Sequence, residues 1–247
     1  MSDAERISYP IRLNRYLALC GVASRRNADL LIASGRVRVG DDTELSPGRT
    51  VAEGETVAVD GRAVNPAPPV YIVMNKPRGV LSAVSDARRR TVMDLLPEIY
   101  RTVGLFPAGR LDLDSEGLLI LTNDGQFSQL LVHPSSGVRK TYAVVLEHAM
   151  EEKHMKEWAR GVIIEKKLLI PAELSPGRPN DGRHWRVVLT EGFKREIRLM
   201  AEALGNKVLR LKRIGVGNLF LDKMPAASWR EFNYENLRNM ISNGGKI

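Results

Sequence analysis

Leu13, Tyr16, Leu17 and Cys20 recur at helical spacing, and Gly21 stops the pattern. Ser24 stands where a cap is needed for a second helix whose apolar positions are Ala28, Leu31 and Ile32, and Gly35 ends it. Arg36-Val37-Arg38-Val39 alternates as a half-buried strand, Gly40-Asp41-Asp42 turns, and Val51 to Val59 holds further short strands. The pattern predicts a small α+β module at the N-terminus. Asn65-Pro66-Ala67-Pro68-Pro69 then favours an extended, semi-rigid connection, which places a domain boundary between residues 1–66 and 67–247. Beyond it, strand-like apolar runs (Val70–Met74, Leu118–Leu121, Tyr142–Leu146, Trp185–Leu189, Val208–Leu211) alternate with helical patterns (Phe127–Leu131, Met155–Ala159, Ile197–Leu204). No tandem repeat or low-complexity tract interrupts them. The expected fold class is α+β, a small module followed by a larger domain around a central sheet.

Charge changes this picture in one respect. The 247 residues hold 37 Lys+Arg and 29 Asp+Glu, a net charge of +8, so a polyanion is the first partner to test. Residues 1–65 are neutral on average, yet between Arg12 and Val39 six arginines face a single acid, Asp29. Arg25 and Arg26 lie in the first turn of the second helix, where the macrodipole disfavours cations by roughly 0.3–1 kcal/mol, so a role outside the helix is expected, and backbone donors flanked by arginines suit a phosphate. Other classes drop out. No apolar run is long enough to cross a bilayer, and the start MSDAERISYP has no apolar signal core, so a cytoplasmic protein is expected. Cys20 is a single cysteine, which excludes an internal disulfide, and His133, His148, His154 and His184 are too scattered to form a local metal-ligand pair.

Candidate chemistry concentrates in GRLDLDSEGLLILTNDG, Gly109 to Gly125. Leu118-Leu119-Ile120-Leu121 reads as a buried strand, Asn123-Asp124-Gly125 as turn and cap, and Arg110 and Asp112 stand in the polar loop before it. An arginine and a carboxylate are delivered to the edge of a rigid sheet, where catalytic groups gather. The residues alone leave two readings open. Asp112, Asp114 and Glu116 alternate and share a face if extended, which suits a divalent cation; a carboxylate pair also suits acid and base work at a glycosidic bond.

Two resemblances narrow the choice. RLNRYLALCGVASRRNADLLIASGRVRVGD resembles the S4-type RNA-binding domain, which implies RNA contacts from Arg12, Arg25, Arg26 and Arg36. Gly109-Arg110-Leu111-Asp112 and the following Gly-Leu-Leu-Ile-Leu-Thr-Asn-Asp-Gly resemble the catalytic signature of pseudouridine synthases, specifically the small-subunit-type ribosomal RNA branch that carries an S4-type domain in front. Further matches follow in the family's order. MNKPRGVLS (74–82) resembles the strand and turn that open the catalytic domain, RKTYAV (139–144) the tyrosine motif, and EGFKREIRLM with LRLKRIGVGNL the closing arginine motif and its strand. Where relatives often have Arg-Asn-Arg, this chain has Phe193-Lys194-Arg195. Leu95-Leu96-Pro97 after Asp94 is more similar to the large-subunit branch.

The resemblance implies a central mixed sheet and an enzyme that turns uridine into pseudouridine in ribosomal RNA, free or in assembly intermediates. Asp112 is then the catalytic carboxylate, Arg198 the partner that pairs with it bidentately, and Tyr142 the ring that stacks on the target base. Leu211 lines the far side of the uracil, Arg110 inserts near the position vacated by a flipped base, and Lys76 and Arg195 contact substrate. Lys194, Lys207 and Arg213, in the basic closing segment, reach phosphates. No metal, cofactor or membrane is implied, and a monomer is expected. The alternative is a non-catalytic RNA-binding ribosome-assembly factor, which has no reason to keep Asp112, Tyr142 and Arg198 together.

Overall fold

The structure is a computed structural model and describes residues 7–179 and 181–247; residues 1–6, the start of the polar N-terminal stretch, lie outside the described residues. The chain forms two compact units. The first comprises Met1–Val70, Met93–Phe106 and Thr122–Asp124. It contains β1 (Ile11–Arg12), α1 (Leu13–Leu19), α2 (Arg25–Ala33), β2 (Val37–Val39), β3 (Asp42–Glu44), β4 (Thr50–Val51), β5 (Val57–Val59), β6 (Arg62–Ala63) and α3 (Ile99–Thr102). Leu13, Leu17, Ala28, Ile32, Val37 and Val57 form its core, beside a sheet of order β3-β2-β5-β6. Ser24 caps α2 by accepting the Asn27 N–H at 3.3 Å. Gly21 has φ +70°, and a Cβ there would lie 2.1 Å from the Thr102 carbonyl oxygen, so the helix stop also permits a close approach that no other residue allows. Asn123 explains how distant segments join this unit: its side chain accepts the Val70 N–H at 2.7 Å and donates to the Pro68 and Val103 carbonyls at 2.9 and 3.1 Å.

The second unit comprises Tyr71–Val92, Pro107–Leu121 and Gly125–Ile247. Its elements are β7 (Tyr71–Lys76), β8 (Phe106–Ala108), β9 (Glu116–Thr122), α4 (Gly125–Val132), β10 (Lys140–Leu146), α5 (Glu152–Arg160), the hairpin β11 (Val162–Ile164) and β12 (Lys167–Leu169), β13 (Glu173–Pro176), β14 (His184–Leu189), α6 (Glu196–Ala203), β15 (Val208–Val216), β16 (Leu219–Phe220), β17 (Trp229–Phe232), α7 (Tyr234–Asn243) and β18 (Gly245–Lys246). The main sheet runs β13-β14-β10-β15-β9-β7-β17. It is mixed: β10 pairs antiparallel with β14 and β15, whereas β15 and β9 are parallel. Leu118 to Leu121 are all buried because both faces of the sheet are covered there, which is why β9 reads as a continuous apolar run. Leu118 and Ile120 pack with Phe127 and Leu131 of α4 and Leu237 of α7. A second core joins Val144, Trp158, Trp185, Ile197, Met200 and Leu211 around α5 and α6. Fully burying one such large apolar side chain contributes about 1.5–3 kcal/mol.

Candidate active site

The parallel β9–β15 contact sets the site. Gly117 pairs with Arg213 at φ +110°, and a Cβ on it would lie 2.1 Å from the Arg213 carbonyl oxygen. Only glycine lets the two strands approach there, so the residue that opens the Gly-Leu-Leu-Ile-Leu run is fixed by geometry. Tyr142 lies across from the same Arg213, and Val144 across from Leu211. Tyr142 is half-buried and packs against the cluster containing Leu211 and Ile197. Three neighbouring strands thus bring together the loop ending at β9, Leu211 and Tyr142.

The loop before β9 is tied at Leu111, Asp112, Leu113 and Ser115 to the segment MNKPRGVLS. Ser82 donates its hydroxyl to the Leu111 carbonyl at 3.0 Å and accepts the Leu111 N–H at 3.1 Å. Gly79 N–H donates to the Leu113 carbonyl at 2.8 Å. Lys76 is fully buried and donates Nζ to the carbonyls of Pro77, Asp112 and Ser115 at 3.0, 3.2 and 2.7 Å. Ser115 N–H closes a turn onto the Asp112 carbonyl at 3.1 Å. The backbone at Asp112 is therefore held from both sides, while its half-exposed carboxylate makes no hydrogen bond or ion pair among the described residues.

Cations surround that carboxylate without touching it. Burial pushes the Lys76 ammonium down to about 8, opposed chiefly by the fields of Asp112 and Asp114. Burial also lowers the Arg198 guanidinium, opposed first by Asp114 and more weakly by Asp112. Arg198 Nη1 donates to the Val208 carbonyl at 3.0 Å, and Nη2 lies 3.0 Å from the Asp114 carboxylate and 3.3 Å from Ser115 Oγ. The sequence-based expectation of an Arg198–Asp112 pair is corrected here: α6 reaches the far end of the turn, and Asp114 takes the direct ion pair. Arg195, at φ +59° before α6, lies 3.9 Å from the same carboxylate.

The burial of Lys76 predicts a dependence on pH. The single-turnover rate is expected to fall as pH rises through about 8, because neutral Lys76 has two N–H groups for three carbonyls and Asp112 loses a neighbouring cation. Stability moves the other way. An unfolded lysine keeps its proton to about 10.5, so between about 8 and 10.5 the unfolded chain binds more protons and this group favours the folded state as pH rises. Rates and melting temperatures across that range check both signs; a rate that stays flat removes the Lys76 charge from the account.

Residues 70–203 match the family described as RNA pseudouridylate synthase. The chain belongs to that family. It is 36% identical to ribosomal large subunit pseudouridine synthase B of Bacillus subtilis, over 82% of this chain and 84% of that one. It is equally, 36%, identical to ribosomal small subunit pseudouridine synthase A of Pseudomonas aeruginosa, over 92% and 99%. A pseudouridylate synthase crystal structure shares 27% identity at a TM-score of 0.66, over 92% of this chain and 98% of that one. This RNA pseudouridylate synthase is an isomerase, and RNA is its substrate.

Two other assignments change with the geometry. Arg213 is not available to phosphates: it is 5% exposed and donates Nε to the Leu118 carbonyl at 2.7 Å, inside the sheet it helps to join. Lys76 does not face substrate, because three carbonyls enclose its ammonium. Arg36 is exposed, and its guanidinium meets Asp60 through two nitrogens, Nε at 2.8 Å, because Asp60 follows β5, the strand paired with β2. The carboxylates weighed as a metal set diverge to separate partners, Asp114 to Arg198 and Glu116 to Arg210 at 2.6 Å. Among the described residues no group of three or more His, Cys, Asp or Glu is placed to hold a metal. Arg12, Arg25, Arg26, Arg110, Lys194, Arg195 and Lys207 are exposed. Among the described residues no helix is long and apolar enough to cross a membrane. Sequence reasoning gave no role to Ser82 or Ser115, and weighed Asp114 only as a metal ligand, not as the partner of Arg198. A serine hydroxyl that bridges a backbone has no signature of its own in a sequence.

Proposed function

We propose that this pseudouridine synthase converts a specific uridine of ribosomal RNA to pseudouridine, with Asp112 as the catalytic carboxylate. The observation that carries the reading is a carboxylate with uncommitted oxygens on a turn whose backbone is pinned at Leu111, Asp112, Leu113 and Ser115, in the field of two buried cations. Isomerisation breaks the bond between ribose and uracil N1, turns the base, and joins the sugar to C5, whose proton is lost while N1 gains one. A group acting at the sugar or the base needs free lone pairs and a fixed position, and the Asp112 turn supplies both. Tyr142 stacks on the base, a contact worth roughly 1–3 kcal/mol, and Leu211 bounds the base pocket. Arg198 holds the far end of the turn. Extrusion of the base costs a few kcal/mol, and exposed Arg110, two residues before Asp112, takes the vacated position.

Lys194, Arg195 and Lys207 contact phosphates around the site. Residues 1–66 act as an S4-type domain that holds a second stretch of RNA through Arg12, Arg25 and Arg26, and 67–247 carry out catalysis. The enzyme works in the cytoplasm as a monomer, without metal or cofactor. The test is pseudouridine mapping on unmodified 16S and 23S ribosomal RNA in excess EDTA; both RNAs are needed because relatives named for each subunit are equally similar. One new pseudouridine is expected. A product that disappears with the chelator contradicts the metal-free reading, and tight binding without product, on free RNA and on assembly intermediates, replaces the enzyme with an assembly factor.

A further inference from the structure

The segment Ser82–Thr91 carries three consecutive arginines, 88 to 90, against one acid, Asp86. Its ends are tied together. Leu81 N–H donates to the Arg90 carbonyl, and Val92 N–H donates to the Leu81 carbonyl, each at 2.9 Å. The tie makes the intervening residues a closed loop, of which 84–90 are all exposed. Asp86 offsets only one of the three charges, and it is held at the loop backbone, where its Oδ1 accepts the N–H groups of Arg88 and Arg89 at 2.9 and 2.8 Å. Among the described residues the side chains of Arg88 and Arg89 have no ion-pair partner, in contrast to Arg36, Arg139 and Arg210, which each face a carboxylate.

Position gives this charge a meaning. Ser82, at the base of the loop, is the residue whose hydroxyl clamps Leu111, the neighbour of Asp112. Arg78 and Arg110, both exposed, lie within two residues of the bonds that join the two segments, from Gly79 to Leu113 and from Ser82 to Leu111. Uncompensated guanidinium groups anchored one hydrogen bond from the catalytic turn suit the backbone of a strand that must be held while one of its bases is turned out.

We propose that Arg88 and Arg89 form a phosphate-binding loop that grips the RNA strand beside the target uridine. The proposal rests on the reading of Asp112 as the catalytic carboxylate and adds a binding element to that site. An ordered loop closed at its base loses less conformational freedom on binding than an open one, so the loop contributes affinity without being part of the chemistry.

The test compares full-length Arg88→Ala/Arg89→Ala and Arg88→Lys/Arg89→Lys with the wild type, using unmodified 16S and 23S ribosomal RNA as probes. The alanine pair is expected to raise Kd about tenfold near physiological salt and to flatten the slope of log K against log salt by roughly 1.4, the effect of two lost phosphate contacts on a single strand. Its rate at saturating RNA stays at the wild-type value, and the lysine pair restores most of the affinity. An alanine pair with wild-type affinity and salt slope overturns the proposal, as does a lower saturating rate at unchanged affinity. Absence of product from the wild type contradicts the enzymatic reading instead, and the binding measurement still decides the loop.

Discussion

Asp112→Asn is expected to bind RNA as the wild type does and to form no detectable pseudouridine, with a single-turnover rate lower by on the order of 10³-fold or more. The substitution is close to isosteric, and every hydrogen bond that shapes the turn uses backbone at this position: the Asp112 carbonyl accepts from Lys76 and from Ser115 N–H. Those bonds persist in the amide. What changes is the charge and the basicity of two oxygens that no other described group engages. Lys76 and Arg198 lose one neighbouring anion, but Asp114 still acts on both, so a melting temperature within a few degrees of the wild type is expected. Rapid-quench measurement at saturating RNA, with binding measured separately, distinguishes lost chemistry from lost association. A variant that keeps a rate within about tenfold of the wild type removes Asp112 from the reaction and leaves the pinned turn as architecture.

The structure also shows where reading the chain succeeds. Elements with strong periodicity were legible: the α1–α2 pair with its Ser24 cap, the β9 run of Leu118 to Leu121, and α6 all lie within a few residues of the positions the pattern predicts. These depend on local chemistry and on burial, which a sequence displays. The β11–β12 hairpin was not legible, because Ile163 and Leu168 are exposed and paired only with each other, so no alternation marks a buried face. Strand order was equally hidden, since the parallel β9–β15 contact joins segments almost 100 residues apart through a glycine.

Site residues divide in the same way. Asp112, Tyr142 and Leu211 stand out through their motifs, and the sheet gathers their segments. Lys76 and Arg213 lie in the same motifs but look like surface cations, because a sequence shows a positive charge and not the carbonyls that enclose it. Both are buried, and both hold the site together from within. Basic residues in this fold therefore separate into exposed ones, open to a partner, and buried ones that brace backbone, and only the geometry sorts them.

Arg198→Lys is expected to lower the single-turnover rate about 10²-fold with little change in RNA affinity, the size of effect that follows a displacement of about 1 Å at a reacting group. Arg198 spans the Val208 carbonyl, Ser115 Oγ and the Asp114 carboxylate, and its side chain is only 6% exposed. A lysine retains the charge but places its donors on a single nitrogen, which cannot reach both sides of that span. Asp114 and the Ser115 hydroxyl are then released, while Ser82 still holds Leu111 and Lys76 still holds the Asp112 and Ser115 carbonyls. Arg198 acts as a positioning residue in this account, and Asp114 is the group that positions it. Asp114→Asn alone should therefore lower the rate about tenfold, and the double variant should be no slower than Arg198→Lys, because residues acting as one unit are not additive. A direct Arg198–Asp112 pair makes the opposite forecast: Asp114→Asn is silent, and the two effects multiply. Rates of the two single variants and the double variant at saturating RNA decide between the two arrangements.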